Sequence, residues 1–110
     1  MIKINKMIIV KVTYTVKPEF VQKNQENINL FMIDFKKLNT NDFQYVSYLC
    51  GDGKTFVHLS HYKNEEIQKH LLQIPSFLSF QKHRDESGLE GLPQIEVMQL
   101  VASSQDVFKH

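Results

Sequence analysis

The two residues whose types could do most chemistry are Lys11 and His58, set on two separate β-like runs, residues 7–16 and 55–62. A cation and a titratable imidazole gathered in a shielded pocket could bind a phenolate or carboxylate and move a proton. The plainer reading is that Lys11 snorkels to the sheet edge and His58 is a half-buried strand residue with its hydrogen bonds satisfied. Thr13, Ser47, Ser60, Tyr45 and Tyr62 supply hydroxyls nearby in the pattern, although a core tyrosine more often hydrogen-bonds its hydroxyl than donates a proton in catalysis. His61 has opposite parity to His58 and belongs on the other side of any strand that carries both. His70 and Gln81 fall on helical segments, where His70 could equally cap a loop or touch solvent. Cys50 stands before a turn with no activating neighbour in sequence. The Gly51-Asp52-Gly53 stretch is turn chemistry, because no strand-to-helix phosphate loop follows it. His83-Arg84 could hold an anion at a pocket mouth, yet an adjacent basic pair on a helix is usually solvated.

These residues need elements to position them. Residues 7–16 read as a strand, with Ile8, Val10, Val12, Tyr14 and Val16 on one face and Ile9, Lys11, Thr13 and Thr15 on the other. Pro18 and Glu19 suit a first helical turn, and Val21, Ile28, Phe31, Phe35 and Leu38 recur at helical spacing to near Asn39. Residues 43–50 and 55–62 are strands joined by Gly51-Asp52-Gly53-Lys54, a hairpin signal. A two-residue turn at Asp52-Gly53 sets Cys50 opposite Thr55, Ser47 opposite His58 and Tyr45 opposite Ser60. Asn64 before Glu65-Glu66 reads as a helix cap, with Ile67, Leu71 and Ile74 inward and Pro75 as the stop. Ser76 then caps a segment with Phe77 and Phe80 inward that frays toward Gly88. Residues 94–102 alternate as a last strand. The order β-α-β-β-α-α-β is a ferredoxin-like βαββαβ α+β fold with its second helix broken at Pro75.

Composition narrows the class. A chain of 110 residues, 42% hydrophobic and 11% aromatic, supports one domain over residues 1–110 with a core that needs no metal or disulfide. Thirteen Lys and Arg against twelve Asp and Glu give +1, no field for a nucleic-acid backbone. The single cysteine fits a reducing cytoplasm, and no thiol or histidine cluster has zinc-like spacing. The apolar run after Met7 is too short for a signal or membrane segment. Met7 could be an alternative start, with residues 1–6 a frayed extension, and residues 103–110 are a tail.

Residues 56–80 resemble the central segment of antibiotic-biosynthesis-monooxygenase-like proteins of the dimeric α/β-barrel superfamily. The matching features are the strand-ending Tyr62, the acidic turn Asn64-Glu65-Glu66, a helical His70, and Pro75-Ser76-Phe77. Val-Lys-Pro-Glu-Phe at 16–20 resembles the strand-to-helix turn, and the likeness spans residues 7–101. It implies a homodimer in which two sheets pack face to face and a cavity lies under each protomer's helices. On that geometry Val10, Val12, Tyr14, Val57 and Leu59 face the partner, since helices on one side leave an apolar sheet face to cover. Lys11, Thr13, Tyr45, Ser47, His58, Ser60 and Tyr62 then line the cavity, with His70 and Gln81 at its helical wall.

The resemblance also implies chemistry. Haem-degrading members carry Asn, Trp and a His ligand where this chain has Lys11, Tyr62 and Gln81, so haem degradation is disfavoured and no cofactor is expected. His83 lies two residues from the ligand place and points about 200° away on a helix. The expectation is a cofactor-free monooxygenase-like protein acting on a small aromatic or quinol-type molecule, with Lys11 and His58 polarising its anion and Ser47, Ser60 and Tyr62 orienting it. A non-catalytic small-ligand-binding or structural dimer, and an isomerase or lyase using a histidine base, remain the alternatives. Cavity shape separates them: an enzyme keeps an open polar pocket, and a scaffold fills it with Phe20, Phe31, Phe35, Phe77 and Phe80.

Overall fold

The computed structural model describes residues 7–108. Along the chain lie β1 (Ile8–Thr15), a 3-10 turn (Pro18–Phe20), α1 (Val21–Lys37), β2 (Phe43–Leu49) and β3 (Thr55–Tyr62). They are followed by α2 (Glu65–Leu72), α3 (Pro75–His83), a π-helical turn (Arg84–Gly88) and β4 (Gln94–Met98). The strands make one antiparallel sheet in the order β2-β3-β1-β4, the expected ferredoxin-like α+β topology. The possible start at Met7 and the frayed extension concern residues 1–6, which lie outside the described residues. Among the described residues no helix is long and apolar enough to cross a membrane.

Local sequence chemistry explains most boundaries. Pro18 opens the 3-10 turn, where a missing N–H costs nothing, and α1 follows with Ile28, Phe31 and Phe35 buried at helical spacing. Asn39 takes the left-handed conformation (φ 47°) just past the end of α1, one of few side chains that tolerates it. Asn64 Oδ1 accepts from the Ile67 amide at 3.0 Å and caps α2 as expected.

Three expectations change in detail. The helix after Pro75 begins at Pro75 itself, with an extended Ile74 before it, so Ser76 does not cap it. Instead Ser76 Oγ donates to Asp34 Oδ2 at 2.6 Å and ties α3 to α1. The β2–β3 register is the expected one, with Ser47 opposite His58 and Tyr45 opposite Ser60. The chain, however, reverses over four residues: the Gly53 amide donates to Cys50 O at 3.0 Å, Gly53 is left-handed (φ 77°), and Asp52 Oδ1 accepts from the Lys54 and Thr55 amides. Finally, β4 ends at Met98 and not at 102, and the tail through Phe108 has neither strand nor helix.

The register decides what each sheet face carries. Every second residue of β3, from Phe56 through His58 and Ser60 to Tyr62, is buried. Antiparallel partners share a face, so Tyr14, Val12, Val10 and Ile8, which pair with Phe56, His58, Ser60 and Tyr62, lie on that same side. There Phe31, Phe35, Phe77 and Phe80 of α1 and α3 pack onto it as the core. Among the described residues the other face has no helical cover, and it carries Lys11, Thr13, Val57, Leu59 and His61.

This overturns the expected parity of β1. Val10, Val12 and Tyr14 belong under the helices and not at a partner, while Lys11 and Thr13 leave the cavity side for the helix-free face. The reason is plain: the apolar residues of β1 are apolar because they form the floor of the helix-covered core. Of the five residues expected at a partner, Val57 and Leu59 remain on the helix-free face.

Candidate functional site

The central strand β3 delivers His58 to the middle of the helix-covered face, where 2% of its surface is exposed. Both ring nitrogens are engaged by phenols: Tyr14 Oη of β1 lies 2.8 Å from Nε2, and Tyr45 Oη of β2 lies 2.7 Å from Nδ1. Asn24, fully buried on α1, donates from Nδ2 to Tyr14 Oη at 2.9 Å. Phe80 stacks on the imidazole at 5.4 Å between centroids and 21° between planes, and Tyr45 meets it edge-on. The network thus runs from a helix through three strands, and its order follows from the register.

One wall was foreseen only as the less favoured of two readings. Arg84, which the sequence offered as an anion holder at a pocket mouth or, more commonly, as a solvated residue, is 9% exposed and opens a π-helical turn, a local insertion often found at functional sites. Its guanidinium carbon sits 5.1 Å from the Tyr14 ring centroid and 5.3 Å from that of Phe80, cation–π distances. Nε donates to the exposed Asp85 at 2.9 Å, a partner of little energetic weight. The turn is held by Gly88, whose carbonyl accepts from the Lys17 amide at 2.7 Å; a Cβ there would meet the Phe20 ring at 2.4 Å. The sequence signal, in hindsight, was Gly88 after a short helix, which allowed the turn to dock and swing Arg84 inward.

Burial makes these groups hold their neutral forms. Desolvation, assisted by the Arg84 charge, pushes the His58 pKa down to about 3, so the ring is uncharged at neutral pH. Desolvation likewise raises Tyr14 and Tyr45 far above the ordinary phenol range, and Tyr62 to a lesser extent, despite a hydrogen bond from Ser60. A neutral imidazole with both nitrogens bonded is better suited to passing hydrogen-bond polarity than to acting as a free base.

A cavity of about 210 Å³ remains between β1, β3 and the α2–α3 side, lined by Tyr45, His58, Ser60, Tyr62, Gln81 and Arg84 with apolar walls from Val10, Val12, Leu72 and Phe77. Its mouth runs along β4, where Ile95 is 68% exposed. Four phenylalanines fill the core beside it without closing it.

The structure therefore gathers Tyr45, His58, Ser60, Tyr62 and Gln81 of the expected set. It separates others. Lys11 and Thr13 are across the sheet, His70 is exposed in the last turn of α2, and Ser47 lines a different groove with Gln25 and Phe56. Arg84 supplies the buried cation that Lys11 was expected to bring. Among the described residues no group of three or more His, Cys, Asp or Glu is arranged to hold a metal ion.

Comparison with known proteins gives the class. No family model matches the sequence, and no curated protein does either. Solved structures match over most of their length. A candidate antibiotic biosynthesis monooxygenase from Caulobacter crescentus CB15 superimposes with a TM-score of 0.75 at 19% identity, over 89% of this chain and 92% of that one. Another from Nitrosomonas europaea gives 0.73 at 11%, over 92% and 96%. A third structure, a Bacteroides thetaiotaomicron VPI-5482 protein described as a possible oxidoreductase, gives 0.70 at 15%, over 88% and 100%. The chain thus has an antibiotic-biosynthesis-monooxygenase-like, ferredoxin-like fold.

Proposed function

We propose that the cavity binds a small oxidisable aromatic, a phenol or quinol, as its anion, and that the protein is a cofactor-free monooxygenase-like enzyme. The observation that carries this reading is Arg84: a nearly buried guanidinium facing an aromatic-walled cavity beside the Tyr45 and His58 pair. A nearly buried guanidinium whose one acidic partner among the described residues, Asp85, is exposed keeps part of its desolvation cost, and an anionic ligand in the cavity offsets it. The volume suits one substituted ring, since a cavity of roughly 150 Å³ already holds benzene. The balanced reaction takes a phenol and O2 to a quinone and water. The ring supplies the electrons, one oxygen atom enters it and the other leaves in water. Arg84 and Tyr45 would stabilise the phenolate, the electron-rich form that O2 oxidises.

The same reading includes a homodimer through the helix-free sheet face, where Val57 and Leu59 would lie at the contact, in a reducing cytoplasm. Support comes from a sheet face that no helix covers among the described residues and on which Val57 and Leu59 lie beside Lys11 and Thr13.

Titration of the protein with 4-nitrophenolate, followed by absorbance, and oxygen uptake with single-ring phenols and hydroquinones test the site. We expect saturable binding that Arg84→Met weakens at least tenfold, on the scale of one charge-assisted contact. Binding without oxygen uptake would favour a ligand-binding dimer over an enzyme. Binding that ignores Arg84→Met would remove the proposal.

A further inference from the structure

The relay around His58 has a direction, and the direction can be read from its first member. Asn24 Nδ2 can only donate, so Tyr14 Oη accepts from it at 2.9 Å. Tyr14 is 2% exposed and its proton has no other acceptor among the described residues, so it goes to His58 Nε2 at 2.8 Å, which presents a lone pair. A neutral imidazole carries one N–H, so the proton sits on Nδ1 and donates to Tyr45 Oη at 2.7 Å. Tyr45 Oη accepts that bond, and its own proton has no acceptor among the described residues. Tyr45 and His58 both line the cavity.

We infer that Asn24 is a positioning residue that fixes His58 as its Nδ1–H tautomer and thereby turns the Tyr45 hydroxyl into the hydrogen-bond donor offered to a ligand oxygen in the cavity. Its last link rests on the proposed function; the tautomer does not.

The amide orientation on which the chain depends has independent support. Asn24 Oδ1 and Asn27 Nδ2 are both buried without a partner among the described residues, one an acceptor and the other a donor. They stand three residues apart on α1, on neighbouring positions of one face. An acceptor and a donor so placed are a pair that a single bridging water can satisfy. A reversed Asn24 amide would instead set two donors side by side and drive the chain backward, leaving Tyr45 to spend its proton on His58 Nδ1.

The consequence is a specificity rule. A cavity whose phenol donates prefers ligands that accept, such as phenolates and quinone carbonyls, and rejects isosteres that only donate, such as aromatic amines. Tyr45 keeps its proton to do so, since burial holds its pKa far above the solution range.

The test uses the full chain with 15N-labelled histidine. Ring-nitrogen NMR should show His58 protonated on Nδ1 and not on Nε2 across neutral pH. In Asn24→Asp, an acceptor at residue 24 recaptures the Tyr14 proton, and the ring should switch to Nε2–H. Tyr45→Phe guards against a misfolded Asn24→Asp: it should keep Nδ1–H, lower 4-nitrophenolate affinity about tenfold, and abolish the preference over 4-nitroaniline. An Nε2–H tautomer in the unaltered protein overturns the relay. A tautomer that Asn24→Asp leaves in place, in a folded variant, overturns the role of Asn24. An Nδ1–H ring in a protein that binds no 4-nitrophenolate would leave the relay standing and sink the cavity reading instead.

Discussion

The two faces of the sheet carry one histidine and one basic residue each, and they treat them in opposite ways. On the helix-covered face both nitrogens of His58 are bonded, an aromatic ring stacks on it, and Arg84 lies buried over two rings. On the helix-free face His61 Nδ1 has no hydrogen-bond partner among the described residues, and Lys11 stands between Leu59 and Glu96 on neighbouring strands. The residue types are nearly the same. What differs is the number of elements converging on them: α1, α3, the π-helical turn and three strands on one side, and no helix on the other among the described residues. Chemistry at a buried group is thus a property of its surroundings, and the faces give a paired control for every claim about the site.

The largest contrast should come from deleting the two imidazoles. His58→Ala removes a stacked, fully buried ring and leaves two phenol hydroxyls without their partner. A cost of about 3–5 kcal/mol is expected, in the range of large-to-small core substitutions with unsatisfied polar groups added. His61→Ala should cost about 1 kcal/mol or less, as for a partly exposed side chain without a hydrogen bond. Urea denaturation of both variants measures the difference. Equal costs would mean that the network around His58 contributes nothing beyond its area.

A second, smaller contrast lies in acid. His58 is held near pKa 3 when folded and returns to the ordinary imidazole value, about 6.5, when unfolded. Between those values the unfolded chain binds more protons, so stability is fully present above about pH 6.5 and is lost as pH falls. The loss from His58 alone should be on the order of 3 kcal/mol between pH 7 and 4, and His58→Asn should flatten that slope. His61, whose pKa burial also lowers, acts in the same direction and should leave a residual slope. Thermal denaturation across this pH range decides it; a steep slope in His58→Asn would assign the acid sensitivity elsewhere.

How much of this was legible in the sequence follows the same division. Elements governed by local chemistry were readable: the Asn64 cap, the Pro18 start, the hairpin register around Ser47 and His58, and hence the topology. Face assignment in β1 was not, because alternation gives two faces without saying which one meets the helices. The register settles it, since Val12 must share a face with His58 if the two pair across antiparallel strands. Treating the apolar alternation of β1 as core, and then demanding that β3 match it, would have placed Lys11 outside the cavity from the start. Arg84 was hidden for a different reason. Its burial depends on the π-helical turn and on Phe20 packing over Gly88, contacts remote in sequence that no periodicity announces.

The smallest expected effects complete the comparison, and they are informative because they are null on one readout only. Lys11→Met should leave 4-nitrophenolate affinity within about twofold of the unaltered protein, since the lysine sits across the sheet from the cavity and a surface change of this kind costs within about 0.5 kcal/mol. Leu59→Lys, its cross-strand neighbour, should also spare ligand affinity, yet convert the proposed dimer to a monomer in sedimentation velocity by placing a charge in the contact. A dimer that survives Leu59→Lys would move the interface off this face. A loss of affinity in Lys11→Met would be the stronger surprise: the two faces would then be coupled through β1, and the cavity could no longer be described by the residues that line it.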